Sequence, residues 1–141
     1  MNGILPNKLN LEIVTPTQLL FNGEVNEVTV PGIDGYLGIL PGHAPLFSQL
    51  QIGVISYQKN DEETYLFCNG GFLEVLKDRV SVLADRATTA DQIDVEQARR
   101  CQQQAEEVLK NLSEGIDFDE VNLNWHEAEV QLEVVAKTNR S

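Results

Sequence analysis

The sequence predicts an N-terminal antiparallel β-sandwich, or flattened barrel, followed by a C-terminal antiparallel two-helix hairpin. Three observations carry this. Up to about Asp85, Gly and Pro divide the chain into short β-type runs. From Thr89 onward both nearly vanish, leaving Gly115, and apolar residues recur every three or four positions. No helical stretch separates the early runs, so parallel βαβ units are excluded. The two parts are expected at 1–87 and 88–141.

The elements follow in order. Leu9–Thr15 alternates, with Leu9, Leu11 and Ile13 on one face. Val25, Val28 and Val30 mark a second run that Pro31-Gly32 ends, and Gly53–Gln58 is a third. Lys59–Glu63 is a polar turn, and Thr64–Asn69 returns as the second strand of a hairpin. After Gly70-Gly71 come Phe72–Leu76, a turn at Lys77-Asp78, and Arg79–Ala84. In the helical part, Val95, Ala98, Cys101, Ala105, Val108 and Leu112 form one apolar stripe. Asp91 or Thr89 is its expected N-cap, with Asp94 and Glu96 at the positive end of the dipole. Asn111–Gly115 closes that helix. Phe118, Val121, Trp125, Ala128, Leu132 and Val135 draw the second stripe, with Trp125 in the hairpin core and His126 exposed beside it. The short connection makes the helices antiparallel.

Composition narrows the function classes. A 42 % hydrophobic content supports a real core in 141 residues. The formal charge of −12 opposes binding to nucleic-acid phosphates and anionic lipid. Residues 91–141 carry five basic against twelve acidic side chains, so the hairpin is the more acidic part. No apolar run approaches the roughly 18–20 residues of a membrane span. Met1–Lys8 lacks the features of a signal or transit peptide. A cytosolic protein is expected, meeting a membrane only through a protein partner. Cys68 and Cys101 form no CxxC and read as small buried hydrophobes in a reducing compartment.

Enzymatic readings fail on inventory. The two histidines, His43 and His126, lie in different halves, without HExxH or a Cys/His cluster, so no metal site is expected. No GxSxG elbow accompanies His43. The glycines of 32–38 lack the GK[ST] ending of a phosphate loop, and no helix follows them. Neither a catalytic residue nor a cofactor is predicted.

Residues 35–46, Gly-Tyr-Leu-Gly-Ile-Leu-Pro-Gly-His-Ala-Pro-Leu, differ in kind. Five are Gly or Pro, with apolar side chains between them, which describes a tightly turned corner of the sandwich. This stretch resembles the signature G-x-x-G-x-L-P-x-H-A-P of epsilon subunits of F-type ATP synthases. The resemblance extends through Leu11–Pro16, Phe21–Val25, Val28–Pro31, Gly70–Val75 and Val80–Asp85 into the helical hairpin. Residues 1–8 and the last few fall outside it.

The resemblance implies a non-catalytic central-stalk rotor subunit, coupling proton or Na+ transport through a c-ring to ATP synthesis or hydrolysis. Its sandwich would grip the gamma subunit and rest on the c-ring, with Ile33, Asp34, Gly35 and Tyr36 matching the c-ring contact. Gly38, Leu40, Pro41, Gly42, His43, Ala44 and Pro45 would form the signature turn at a subunit interface. In relatives the hairpin brakes hydrolysis against the alpha and beta subunits, and some members bind ATP there through I/L-D-x-x-R-A. The matching residues Ile93, Asp94, Gln97 and Ala98 have Gln97 for the arginine, and Gln104, Glu120 and Glu127 stand where others carry arginine. A triphosphate needs charge-assisted donors, so poor ATP binding is expected. Residues 116–141 carry two basic against six acidic side chains, so the electrostatic brake is expected to be weak. The implied location is the cytoplasmic side of a bacterial inner membrane, peripheral through the complex. The alternatives are a free-standing adaptor with another protein partner and an ATP-sensing regulatory subunit.

Overall fold

The computed structural model describes residues 8–111, 115 and 117–140. The alternating run forms β1 (Leu9–Val14), whose Leu9, Leu11 and Ile13 have no exposed surface. It pairs antiparallel with β2 (Leu19–Val25), and its other edge pairs with β8 (Arg79–Thr89) in parallel. This is the one parallel pair among the described strands of an otherwise antiparallel sandwich. No βαβ crossover is involved: β1 lies between β2 and β8 in the sheet, which sets the first and last strands of the β-domain side by side. The other described pairs are antiparallel: β3 (Glu27–Gly32) with β4 (Gly35–Ile39), β5 (Leu46–Leu50) and β6 (Gly53–Lys59). β3 therefore continues through Pro31-Gly32, and the chain reverses at Ile33-Asp34.

β7 (Glu62–Leu76) is one fifteen-residue strand, although Gly70-Gly71 predicts a break. Its first half pairs with β6 and its second with β5, while β8 follows it along both. The glycines bend the strand rather than end it. Both have positive φ, +75° and +124°, and a Cβ on Gly71 would collide with the Leu83 carbonyl. The bend carries β7 from one layer to the other. Between the layers lies one core that includes Leu9, Ile13, Val30, Ile55, Leu73 and Val82.

The helices are α1 (Val95–Lys110) and α2 (Phe118–Arg140), reached through a 3-10 turn at Ala90–Gln92. The N-cap of α1 is Asp94, whose carboxylate accepts the Gln97 N–H at 3.0 Å. Asp91 and Thr89 do not serve, because the 3-10 turn sets the α-helix start several residues later. Asp117 caps α2 in the same way, accepting from Glu120 N–H at 3.2 Å. Ala98, Ala105 and Ala128 are buried between the helices, where small side chains permit close approach. Cys101 is only half-buried, its Sγ facing the Asn124 carbonyl at 3.8 Å. Trp125 is also half-buried, at the rim of the pair, where Nε1 donates to Glu106 Oε1 at 3.1 Å. Leu112 lies outside the described residues.

The second stripe is only part of α2. Val130 and Val134, off that stripe, are buried against Val54 and Phe67 of the sandwich. α2 is therefore covered on two sides, by α1 and by the sheet, which blurs the single-face periodicity used to read it.

Cys68 is buried and donates its S–H toward the Gly70 carbonyl. Burial first, and the neighbouring Asp85 charge second, push its pKa from 9.0 to about 12. Because the folded value lies above the unfolded one, this thiol contributes its full stability below pH 9 and loses it as pH climbs toward 12. Iodoacetamide at pH 8 is expected to leave Cys68 unmodified in the native protein and to label it in urea. Mass spectrometry of the Cys68 peptide checks this; labelling without denaturant would contradict it.

Candidate functional site

The predicted docking segment Ile33–Tyr36 divides in two. Ile33 and Asp34 form the exposed β3–β4 turn, closed by Gly35 at φ +133°. The base of the turn is braced, because Ile33 N–H donates to the Gln49 carbonyl and Gln51 Nε2 donates to the Gly32 carbonyl. Tyr36 points elsewhere. Its ring is exposed, but its hydroxyl accepts the Val54 N–H at 3.0 Å. Gly53 makes room for that contact, since a Cβ there would lie 2.7 Å from the same hydroxyl.

The signature also divides. Gly35–Ile39 is strand β4, an edge strand that among the described residues pairs with β3 alone, so Gly38 belongs to a ladder and not to a turn. The turn itself is Leu40–Pro45. His43 N–H donates to the Leu40 carbonyl, and Gly42 adopts φ +86°. Leu40, Ala44 and the Pro45 ring face outward. The His43 imidazole lies against its own backbone, Nδ1 being 2.6 Å from the Ala44 carbonyl oxygen. Its conformation is thus set locally, as a structural histidine's would be.

Sequence reasoning missed the anchor of this turn, Asp78. Its carboxylate accepts the Gly42 N–H at 2.7 Å, and its backbone carbonyl accepts the Asn10 N–H at 2.8 Å. Asp78 and Lys77 both have positive φ, the backbone of a tight two-residue hairpin turn. One residue therefore ties β1, the β7–β8 turn and the signature turn together. A partner 36 positions away in sequence carries no local signal.

An exposed apolar strip was also missed. On the outer face of the sheet, Phe72 of β7 stands opposite Leu83 of β8. Phe47 of β5 stacks on Phe72, with ring centroids 5.4 Å apart. Phe47 is 66 % exposed, Phe72 44 % and Leu83 47 %, and Leu76 continues the face. The signal was available: alternation that buries Leu73 and Val75 must turn Phe72 outward. A contiguous apolar strip on a water-facing sheet is the mark of a protein interface.

Between the helical hairpin and the end of β8 lies a cavity of about 370 Å³. Ile93, Asp94, Gln97 and Ala98 all line it, so the structure brings this predicted set together. Gln104 and Glu120 are exposed and do not line it; Glu127 does. Arg86 is the one cation among the described lining residues, and it forms an ion pair with Glu127. Asn69 Nδ2 donates to the other Glu127 oxygen at 3.4 Å. At the α1 N-terminus, the Asp94 carboxylate takes the place an external anion would use. Both anion-attracting features are thus occupied by the chain's own carboxylates. Further along α2, Lys137 pairs with Glu133 at 3.5 Å and lies over the Tyr65 ring. Among the described residues no helix is long and apolar enough to cross a membrane.

Comparison with known proteins covers nearly the whole chain. The family model described as ATP synthase, Delta/Epsilon chain, beta-sandwich domain matches residues 8–90, and the long alpha-helix domain of the same chain matches 91–136. The ATP synthase epsilon chain of Solibacter usitatus is 40 % identical over 133 residues, spanning 94 % of this chain and 99 % of the relative. That of Geotalea uraniireducens is 39 % identical over 137 residues, spanning 96 % and 99 %. Among solved structures, a chain of the Euglena gracilis mitochondrial ATP synthase, OSCP/F1/c-ring, superposes with a TM-score of 0.70 at 19 % identity, covering 99 % of this chain and 84 % of that one. A chain of the Tetrahymena thermophila mitochondrial ATP synthase central stalk/c-ring gives 0.53 at 12 % identity, covering 93 % and 96 %. At these identities the two structures speak to fold alone.

Proposed function

The chain belongs to the family of ATP synthase delta/epsilon chains, and on that premise we propose that it is a non-catalytic rotor subunit of the central stalk. In this role it couples ion transport through a membrane c-ring to ATP synthesis or hydrolysis. It sits peripherally, through the complex, on the cytoplasmic side of a bacterial inner membrane. The observation that carries the docking role is the exposed Phe47–Phe72–Leu83 strip. Burying such side chains in a partner's surface contributes roughly 1.5–3 kcal/mol each. The gamma subunit is the partner assigned to this face. The Leu40–Pro45 turn, which leads directly into β5, lies at the edge of the same interface.

The c-ring contact is assigned to the exposed Ile33-Asp34 tip, with Gly35 closing the turn. Tyr36 acts there chiefly as a brace, because its hydroxyl is committed to Val54. The hairpin is a weak brake on the alpha and beta subunits. Lys137 is engaged by Glu133 and Tyr65, which leaves an acidic surface facing any acidic partner loop. It is also a poor nucleotide site, since Glu127 neutralises Arg86 and a triphosphate would meet two carboxylates in the cavity.

Three outcomes are expected. The double substitution F47S/F72S should weaken association with gamma at least about thirtyfold, a loss of ~2 kcal/mol for removed aromatic anchors. The thermal midpoint of the free chain should hold within a few degrees, and undiminished gamma binding would put the gamma contact on another face of the sandwich. Calorimetric titration with MgATP should give a Kd no tighter than millimolar; a micromolar value would restore the nucleotide-sensor reading. Removing residues 91–141 should leave ATP hydrolysis by the assembled complex within about twofold of the full-length rate, since an electrostatically mismatched contact contributes little. A several-fold rise would establish a strong brake.

A further inference from the structure

The helical hairpin touches the sandwich through few side chains. Val130 and Val134 pack on Val54 and Phe67, with Ile52, Tyr65, Ala90 and Ile93 at the margin. Beside this patch the two parts stand apart around the 370 Å³ cavity. Apolar contact of this kind is strong but non-directional, and alone it lets a helix slide or rotate on its seat. Something else must set the position of α2.

Two polar contacts at the seam, among the described residues, converge on Glu127. Asn69 of β7 and Arg86 of β8 stand directly opposite each other in the strand register. Each reaches a different oxygen of the same carboxylate, Arg86 to Oε1 and Asn69 to Oε2. Two donors on adjacent strands thus form a fork, and Glu127 sits in it from one turn before Val130. Its side chain is 24 % exposed, well below the 58 % of Arg86, so the contact is partly shielded from water. A second charged contact across the seam, Lys137 over the Tyr65 ring at 5.8 Å, lies near the far end of α2 and is looser.

We propose that Glu127 is a built-in latch: an anion carried by the chain itself that fixes the docked position of the helical hairpin through Arg86 and Asn69, without any bound ligand. Arg86 would otherwise present an unpaired cation to the cavity, and an anion from solution would be needed to join the two parts there. Glu127 supplies that anion permanently. Docking of the hairpin therefore depends on ionic strength and not on ligand concentration. The inference rests on contacts within this chain and stands or falls independently of binding to gamma or a c-ring.

The test uses the full chain and follows two of the three thiols that V134C would carry, peptide mass spectrometry separating them from the half-buried Cys101. Val134 has no exposed surface in the docked state, so the thiol introduced by V134C reports undocking through its alkylation rate. Cys68, buried in the sandwich, reports global unfolding in the same sample. Peptide mass spectrometry follows both. In the V134C background, E127Q is expected to speed alkylation at position 134 about fivefold, the scale of a partly shielded ion pair. Cys68 should stay unlabelled. The charge exchange R86E/E127R should return the rate to within about twofold of its V134C parent, and 1 M NaCl should accelerate the parent more than E127Q. An unchanged rate in E127Q would overturn the proposal, as would failure of the charge exchange to restore it. Parallel labelling of Cys68 would also overturn it, because Glu127 would then support the whole fold and not the seam.

Discussion

Strand β7 must bend at Gly70-Gly71 if the two layers of the sandwich are to share it. Fifteen residues run without interruption, pairing first with β6 and then with β5, and β8 follows the same path. The bend requires positive φ at two successive residues and leaves no room for a Cβ beside Leu83, so only glycine meets both conditions at low cost. The rest is built around that strand. Its second half lays Phe72 beside Phe47 and Leu83 on the outer face, and its last turn places Asp78 under the signature turn. Its first half supplies Phe67 to seat the hairpin and Asn69 to hold Glu127.

The β-domain consequently offers distinct surfaces with distinct chemistry. The strip on β5, β7 and β8 is apolar and aromatic, suited to a long-lived protein contact. The Ile33-Asp34 tip is small, exposed and braced from behind by backbone hydrogen bonds, so it can bear on a partner without deforming. Separating the two surfaces suits a part that transmits force between neighbours. In the proposed role, a rigid sandwich between the two surfaces would lose little motion to internal compliance.

The hairpin follows another logic. Its helices approach closely through alanines, yet its seat on the sandwich is narrow and its charge is strongly acidic. Where an external anion could have bridged Arg86 and α1, the chain supplies Glu127 and Asp94 instead. The cavity that remains is lined by polar side chains, among them Arg86 paired with Glu127 and Asp94 capping α1.

Much of this was written in the residues themselves. Alternation fixed which side chains of β1 are buried, Gly and Pro punctuated the strands, and three-to-four spacing marked α1, because these patterns are local and one face of each element is in water. The family signature at 35–46 was legible for the same reason, being a run of special backbone conformations in one short stretch. Long-range closure decided the rest. The parallel pairing of β1 with β8, the continuity of β7, the Asp78 anchor and the Glu127 fork all join residues far apart in the chain, and no local pattern encodes such a meeting. α2 is the plainest case: its spacing reveals the stripe that faces α1, but Val130 and Val134 became core only when the sheet arrived on its other side, because burial belongs to the assembled surface and not to the helix that contributes to it.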